Sequence, residues 1–470
     1  MQPSGMSIPT GTQPSPPKRR RTWFVPIAVV VVIALVACVF VWWKHDGRLA
    51  TRGTWHHAGN DLSSSMREQP VSGWRTSATD LGLPVARDGA EPSRIAESND
   101  PSGPRPFIGR IGDKAFFLAR SGDALTPEWW LTGVDVNSGQ PTFPGVSLLT
   151  DAKFPRCFIN GPTEVLCLSY ELSATAWVID AQSGAVLYNG PTDLRALPGP
   201  LVVEQIANYA VASAARQGVY GIGHRGETTW FVPGDGLFVG TGDVDTTLAT
   251  QDSTDKSDWN TTVFDARDGR VLKPQAQDGT KLQNTVLYPG GFAAVAEVDG
   301  KLTGVQFFDE TGKHLGGGIQ GRPTTDRSGT LPIVARYEGD QSAVFSPDGE
   351  LLLDMPSGNK VVVGDSILLN ENKSDAFPMW RQYDVNTGAK GAACDFNMGN
   401  FLGSDGTVFV FEVTNRKAGL AAKARDRNTC ETLWTLPAAV DSLAHVWRVN
   451  ETLVQLSDDG TELTSLVAPG

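Results

Sequence analysis

Apart from one long run, the apolar residues of this chain come in short bursts separated by polar turns. The long run extends from Trp23 to Trp43 and carries no charge, and about 20 such residues cross a bilayer as an α-helix. Trp23 at one end and Trp42-Trp43 at the other stand where aromatic belts form, and Pro26 falls in the first turn. Lys18, Arg19, Arg20 and Arg21 precede the run, which predicts a cytoplasmic N-terminus and an extracytoplasmic remainder. Residues 1–22, rich in Pro, Ser, Gly and Thr, read as a disordered cytoplasmic tail, and 44–70, poor in aliphatic side chains, as a stalk. A rival reading is a lipoprotein anchored at Cys38, because Leu35-Val36-Ala37-Cys38 resembles a lipobox. The apolar run continues well past that cysteine and favours a retained anchor.

Beyond residue 70 the short bursts flank a recurring turn. Its copies are Asp135-Val136-Asn137-Ser138-Gly139, Asp180 to Gly184, Asp265 to Gly269, Asp384 to Gly388, and Asp426 to Cys430. An aspartate can bond backbone N–H groups two residues on, a neighbouring Ser or Thr adds a second bond, and Gly accepts the left-handed conformation. The pattern therefore reads as strand, tight turn, strand. Asp135 to Asp180 is 45 residues, Asp265 to Asp309 is 44, and Asp384 to Asp426 is 42. The longer gaps hold degenerate copies at Gly223-His224-Arg225-Gly226 and Ser346-Pro347-Asp348-Gly349, and Ser457-Asp458-Asp459-Gly460 reads as a last variant. A period near 40–45 residues with several strands per unit is the signature of a β-propeller.

The words of the repeat, with Leu433-Trp434 as their best aromatic ending, resemble the PQQ-like (pyrroloquinoline-quinone-type) propeller family over roughly residues 105–470. The expected fold is all-β: a propeller of four-stranded blades over residues 71–470, preceded by one transmembrane helix. Segments fall near 105–146, 154–190, 201–233, 236–274, 282–320, 328–356, 359–398 and 400–437, with a closing one after them. With degenerate units merged, eight blades are favoured, the commoner number for that family, and seven are compatible. Val71 to Thr76 reads as a lone strand that completes the last blade beside residues 461–468, which removes an exposed edge.

Quinoproteins of that family resemble one another in a vicinal cysteine pair, a calcium-binding carboxylate set and an Asp base. This chain has no adjacent cysteines, so no cofactor is expected. No hydrolase elbow, zinc-helix motif or phosphate loop occurs either, and no catalytic or metal-binding residue is assigned. His56-His57 reads as a solvated pair, and Asp243, Asp245, Asp252, Asp255 and Asp258 as a solvated acidic loop before Trp259.

Four cysteines lie beyond Cys38 in what would be an oxidising compartment. A hairpin centred on Pro162 sets Cys157 opposite Cys167 at a separation a disulfide can span. Cys394 and Cys430 would meet between neighbouring blades, with two buried free thiols as the alternative. The chain carries 40 basic and 52 acidic residues, a net charge of −12 that argues against nucleic acid as the main partner. The reading that follows is a non-catalytic, membrane-anchored scaffold for envelope proteins or glycans. A divergent quinoprotein-like or sugar-acting enzyme, and an envelope sensor signalling through the tail, are the alternatives.

Overall fold

The computed structural model describes residues 62–86, 91–95, 106–122, 127–148, 155–169, 175–197, 201–239, 246–254, 260–327, 329–372 and 378–470. The segments 1–22 and Trp23–Trp43, Cys38, His56-His57 and most of the acidic loop lie outside them. Among the described residues no helix is long and apolar enough to cross a membrane.

The described strands form nine antiparallel sheets. Blade 1 runs from Phe107–Ile111 through Lys114–Ser121 and Glu128–Asp135 to Pro141–Leu148, and Arg94–Ile95 continues its inner edge. Blade 2 comprises Pro155–Ile159, Glu164–Ser169, Thr175–Asp180 and Val186–Pro191. Blade 3 comprises Leu201–Ile206, Tyr209–Ala214, Gly218–Ile222 and Thr228–Pro233. Blade 4 has Phe238–Val239, Leu248–Asp252 and Thr261–Asp265, with a single bridge from Phe264 to Val271 in place of an outer strand. Blade 5 spans Lys281–Tyr288 to His314–Ile319, blade 6 Arg322–Thr325 to Leu351–Pro356, blade 7 Lys360–Val363 to Lys390–Cys394, and blade 8 Phe401–Ser404 to Thr432–Pro437. Blade 9 is His445–Val449, Thr452–Leu456 and Glu462–Val467, and its outer strand is the N-terminal Val71–Ser77.

That last pairing is the expected closure, with Val71 opposite Val467 and Ser77 opposite Glu462. Within the segment read as stalk, Leu62 and Met66 are buried in the ring. Leu62 N–H donates to Ser404 O at 2.7 Å, and Met66 N–H to Asp405 Oδ2 at 2.6 Å.

The expected eight blades are corrected to nine, and the core gives the physical reason. The second strand of a blade is sandwiched between its two neighbours, so its side chains alternate between two cores. In blade 1, Ala115, Phe117 and Ala119 pack toward blade 9, whereas Phe116 and Leu118 pack toward blade 2. Such clusters fill each joint between consecutive blades, including the joint from 9 back to 1. The degenerate units of blades 4 and 6 each fill two joints and cannot be merged with a neighbour.

Candidate functional site

Most of the turn residues singled out from sequence gather on one face of the ring. In blades 1, 2, 4, 5, 7 and 8 the third strand ends in the aspartate turn. Asp135 Oδ1 accepts from the N–H groups of Asn137 and Ser138 at 3.1 and 3.0 Å and from the Ser138 hydroxyl at 2.9 Å. Asp180 repeats this with Gln182 and Ser183, and Asp384 with Thr387. Asp265 takes the Arg267 N–H and also the Arg267 guanidinium. Gly139, Gly184, Gly269 and Gly388 have φ between 69° and 72°, and Cys430 stands in the same position with φ 65°. The Ser183 hydroxyl and N–H hold the Asp180 carboxyl below its ordinary value. The N–H groups of Thr429 and Asn428 do the same for Asp426.

The turn also has a task that its local bonds do not reveal: it receives the outer strand of the preceding blade. Trp74 of blade 9 lies against Gly139 of blade 1, Phe143 of blade 1 against Gly184 of blade 2, and Trp230 of blade 3 against Gly269 of blade 4. A Cβ at any of these glycines would come within 2.6–2.7 Å of the ring. Absence of a side chain is therefore required for packing as well as for φ. Blade 8 departs from the rule, because Cys430 replaces the glycine and is bonded to Cys394 on the outer strand of blade 7. The disulfide occupies the place where the joints at Gly139, Gly184 and Gly269 hold an aromatic ring and the joint at Gly388 holds Leu353. Cys157 and Cys167 are bonded between the inner two strands of blade 2, in the cross-strand register expected of them.

Two motif variants behave differently. In blade 3, His224 takes the place of the aspartate turn, and its Nδ1 lies 2.7 Å from Oε1 of buried Glu164 on blade 2. Ser457 to Gly460 joins the second and third strands of blade 9 and so lies on the opposite face from the other copies. Counted as the last copy from sequence, it is a different turn. Blade 9 has no turn from third to outer strand, since its outer strand comes from the other end of the chain.

The inner strands surround the axis of the ring. Arg156, Lys281 and Arg322 stand toward the start of their inner strands and Arg110 and Arg448 toward the other end, exposed or half-buried, with Glu204 as an acid among them. Arg94, on the short inner-edge strand, pairs with Glu91. Lys360 is a further inner-strand cation, but it is buried, with Nζ 3.2 Å from Ser342 Oγ and 3.0 Å from Gly358 O. Desolvation pushes its amine down to about 8. His445 Nδ1 lies 2.8 Å from Glu412 Oε1 at the joint between blades 8 and 9. On blades 3 and 4 the inner strands instead present Val202 and Val239, 41% and 63% exposed. Sequence reasoning passed over these cations, though their signal was there, since Lys281, Arg322 and Lys360 open the first strand of their repeats. Of the acidic loop only Asp252 is described, and its Oδ1 accepts from Thr261 Oγ1 at 2.8 Å. Among the described residues no group of His, Cys, Asp or Glu is arranged to hold a metal ion.

Residues 49–469 match a family described as the conjugation-associated 9-bladed beta-propeller domain. The chain belongs to this family. Its blade number agrees with the nine joints counted above. An uncharacterized protein of Mycolicibacterium smegmatis (strain MKD8) is 35% identical over 97% of this chain and 98% of its own length. Among solved structures, BamB from Moraxella catarrhalis is similar with a TM-score of 0.40 and 13% identity, covering 84% of this chain and 98% of that one. The designed Ika8 protein is similar with a TM-score of 0.34 and 13% identity, over 66% and 94% of the two chains. Likenesses at this level decide nothing about the chemistry of this conjugation-associated propeller.

Proposed function

We propose that this propeller is a non-catalytic binding scaffold, held at the outer side of a membrane by the Trp23–Trp43 segment, that gathers protein components of a conjugation apparatus in the cell envelope. The observation that carries the reading is the disulfide from Cys394 to Cys430. A covalent staple between blades, built into a repeat position, suits an oxidising compartment and a ring that keeps its shape while others dock on it. The family description supplies the setting, and the uninterrupted apolar run supplies the anchor. Small shape changes on binding are the ordinary behaviour of such preorganised surfaces.

In-cell cross-linking of the full-length protein, followed by mass spectrometry of captured peptides, tests the reading. Reproducible cross-links from blade loops to envelope proteins of the conjugation apparatus are expected. If repeated trials capture no envelope protein, the scaffold reading is overturned.

A further inference from the structure

Residues 62–70 are fastened to the joint between blades 8 and 9 before the closing strand Val71–Ser77 begins. The N–H groups of Leu62 and Met66 donate to Ser404 O and to Asp405 Oδ2, both on the first hairpin of blade 8. The Ser63 N–H and hydroxyl both reach Glu451 O, on the first hairpin of blade 9, at 3.2 and 3.3 Å. Arg67 pairs with Asp426 at 2.9 Å, and Trp434 donates to Met66 O at 2.7 Å. The Leu62 and Met66 side chains are buried among Val408 and Val410 of blade 8 and Val446, Leu453 and Leu466 of blade 9. The strap therefore grips two blades at once.

The strand that follows is held in a weaker way. It is an edge strand with one neighbour, Glu462–Val467. Val71 faces Val467 and Ser72 faces Leu466, the register shifts over Gly73 and Trp74, and pairing resumes at Arg75 opposite Thr464. A pull on residue 70 would part these pairs one after another from the Val71 end, with a single pair under tension at any moment. A pull ahead of Leu62 must instead break the strap's bonds to both blades and expose two buried side chains nearly together. We infer that residues 62–70 are a strain-relief strap. Tension between the membrane anchor and whatever is docked on the ring passes through the strap into blades 8 and 9, and the pairing that closes the ring is spared. An opened closing strand would bare the edge at Glu462–Val467, so the protection falls on the pairing whose loss opens the whole circle. This inference rests on the scaffold reading, which supplies both the anchor and the load.

The test pulls on single molecules of the purified full-length protein in magnetic tweezers. Handles are attached at Asn60→p-azidophenylalanine, ahead of the strap, and at Asp278→p-azidophenylalanine, exposed on the connection from blade 4 to blade 5. Residues 62–77 should come away in one step of about 54 Å, the extended length of 16 residues, because the strand cannot hold at a force that has already broken the strap. In Leu62→Ser/Met66→Ser the strand should open at a lower force, in a step of about 24 Å for its seven residues. Thermal melts report whether the ring is intact, and Leu62→Ser alone gives the same readout should the double variant fail to fold. A first step of about 30 Å in the protein with native Leu62 and Met66, with the strand holding to a higher force, overturns the inference. An unchanged opening force in the strap variants overturns it too. Both of those outcomes leave the scaffold reading standing, whereas absence of in-cell cross-links removes the scaffold reading and, with it, the load that the strap would bear.

Discussion

Two joints of the ring solve one problem with different material. Between blades 9 and 1, Trp74 donates its indole N–H to Val136 O at 2.7 Å, on the residue that follows Asp135 in the turn. Between blades 8 and 9, Trp434 donates to Met66 O, also at 2.7 Å. Blade 9 has no aspartate turn to offer, and the segment before the closing strand fills the place. That segment is itself tied to blade 8, through Asp405 and through an ion pair from Arg67 to Asp426 at 2.9 Å. These two joints each set a carbonyl and a shallow floor beneath a tryptophan, and a stretch of chain other than the aspartate turn can supply both.

The largest expected effect comes from removing residues up to Ser77. Both the strand edge at Glu462–Val467 and the seat of Trp434 would be opened, and the chain should lose cooperative unfolding and aggregate, as checked by calorimetry and light scattering. Next, Trp434→Ala should cost about 3–5 kcal/mol in chemical denaturation, because a large buried side chain leaves a cavity. If Trp74→Ala at the other joint costs much less, the two joints are not equivalent. Replacing the staple with Cys394→Ala/Cys430→Ala should cost about 3–4 kcal/mol by loop entropy, measured the same way. Cys394→Ala/Cys430→Gly should recover about 1 kcal/mol of that, since glycine accepts the left-handed backbone at residue 430. Asp384→Ala should cost around 1 kcal/mol through lost turn bonds, and an unchanged denaturation midpoint would sink that account of the turn.

The smallest effect concerns acid. Hydrogen bonds hold Asp180 and Asp426 below their ordinary values. For Asp405, burial pushes the carboxyl up, but the N–H groups of Met66, Thr407 and Val408 and the Thr407 hydroxyl outweigh it. Groups with depressed folded values add stability in full above their unfolded value of about 3.9 and lose it as pH falls through the folded one. Melting temperature should therefore drop below about pH 4, and less so in Asp405→Asn, where one such group is absent.

Much of this was legible because turns leave local marks. Asp135 and Gly139 announce their conformation in five residues, and Val71 to Thr76 announces a strand with no neighbour of its own. The disulfide at Cys157 needed only hairpin register. The blade number was harder, because blade 6 has lost its aspartate and blade 4 has only three strands and a bridge. Their independence lies in two-sided packing of residues such as Val344 and Ala343, which no turn motif records. The inner-strand cations were missed for a related reason. Arg110 and Arg322 lie far apart in sequence, and only strand order reveals that both stand on inner strands, at opposite ends of them.

The closing strand also bears on the order in which the protein is made. Val71–Ser77 is synthesised before the other strands of the ring, and its partner Glu462–Val467 after them. The circle can shut only when the last of its strands has been translated and delivered to the same compartment as the first. Until then blade 9 lacks its third strand and Val71–Ser77 has nothing to pair with. Until that strand arrives the ring has two open edges, and its completion is what allows closure.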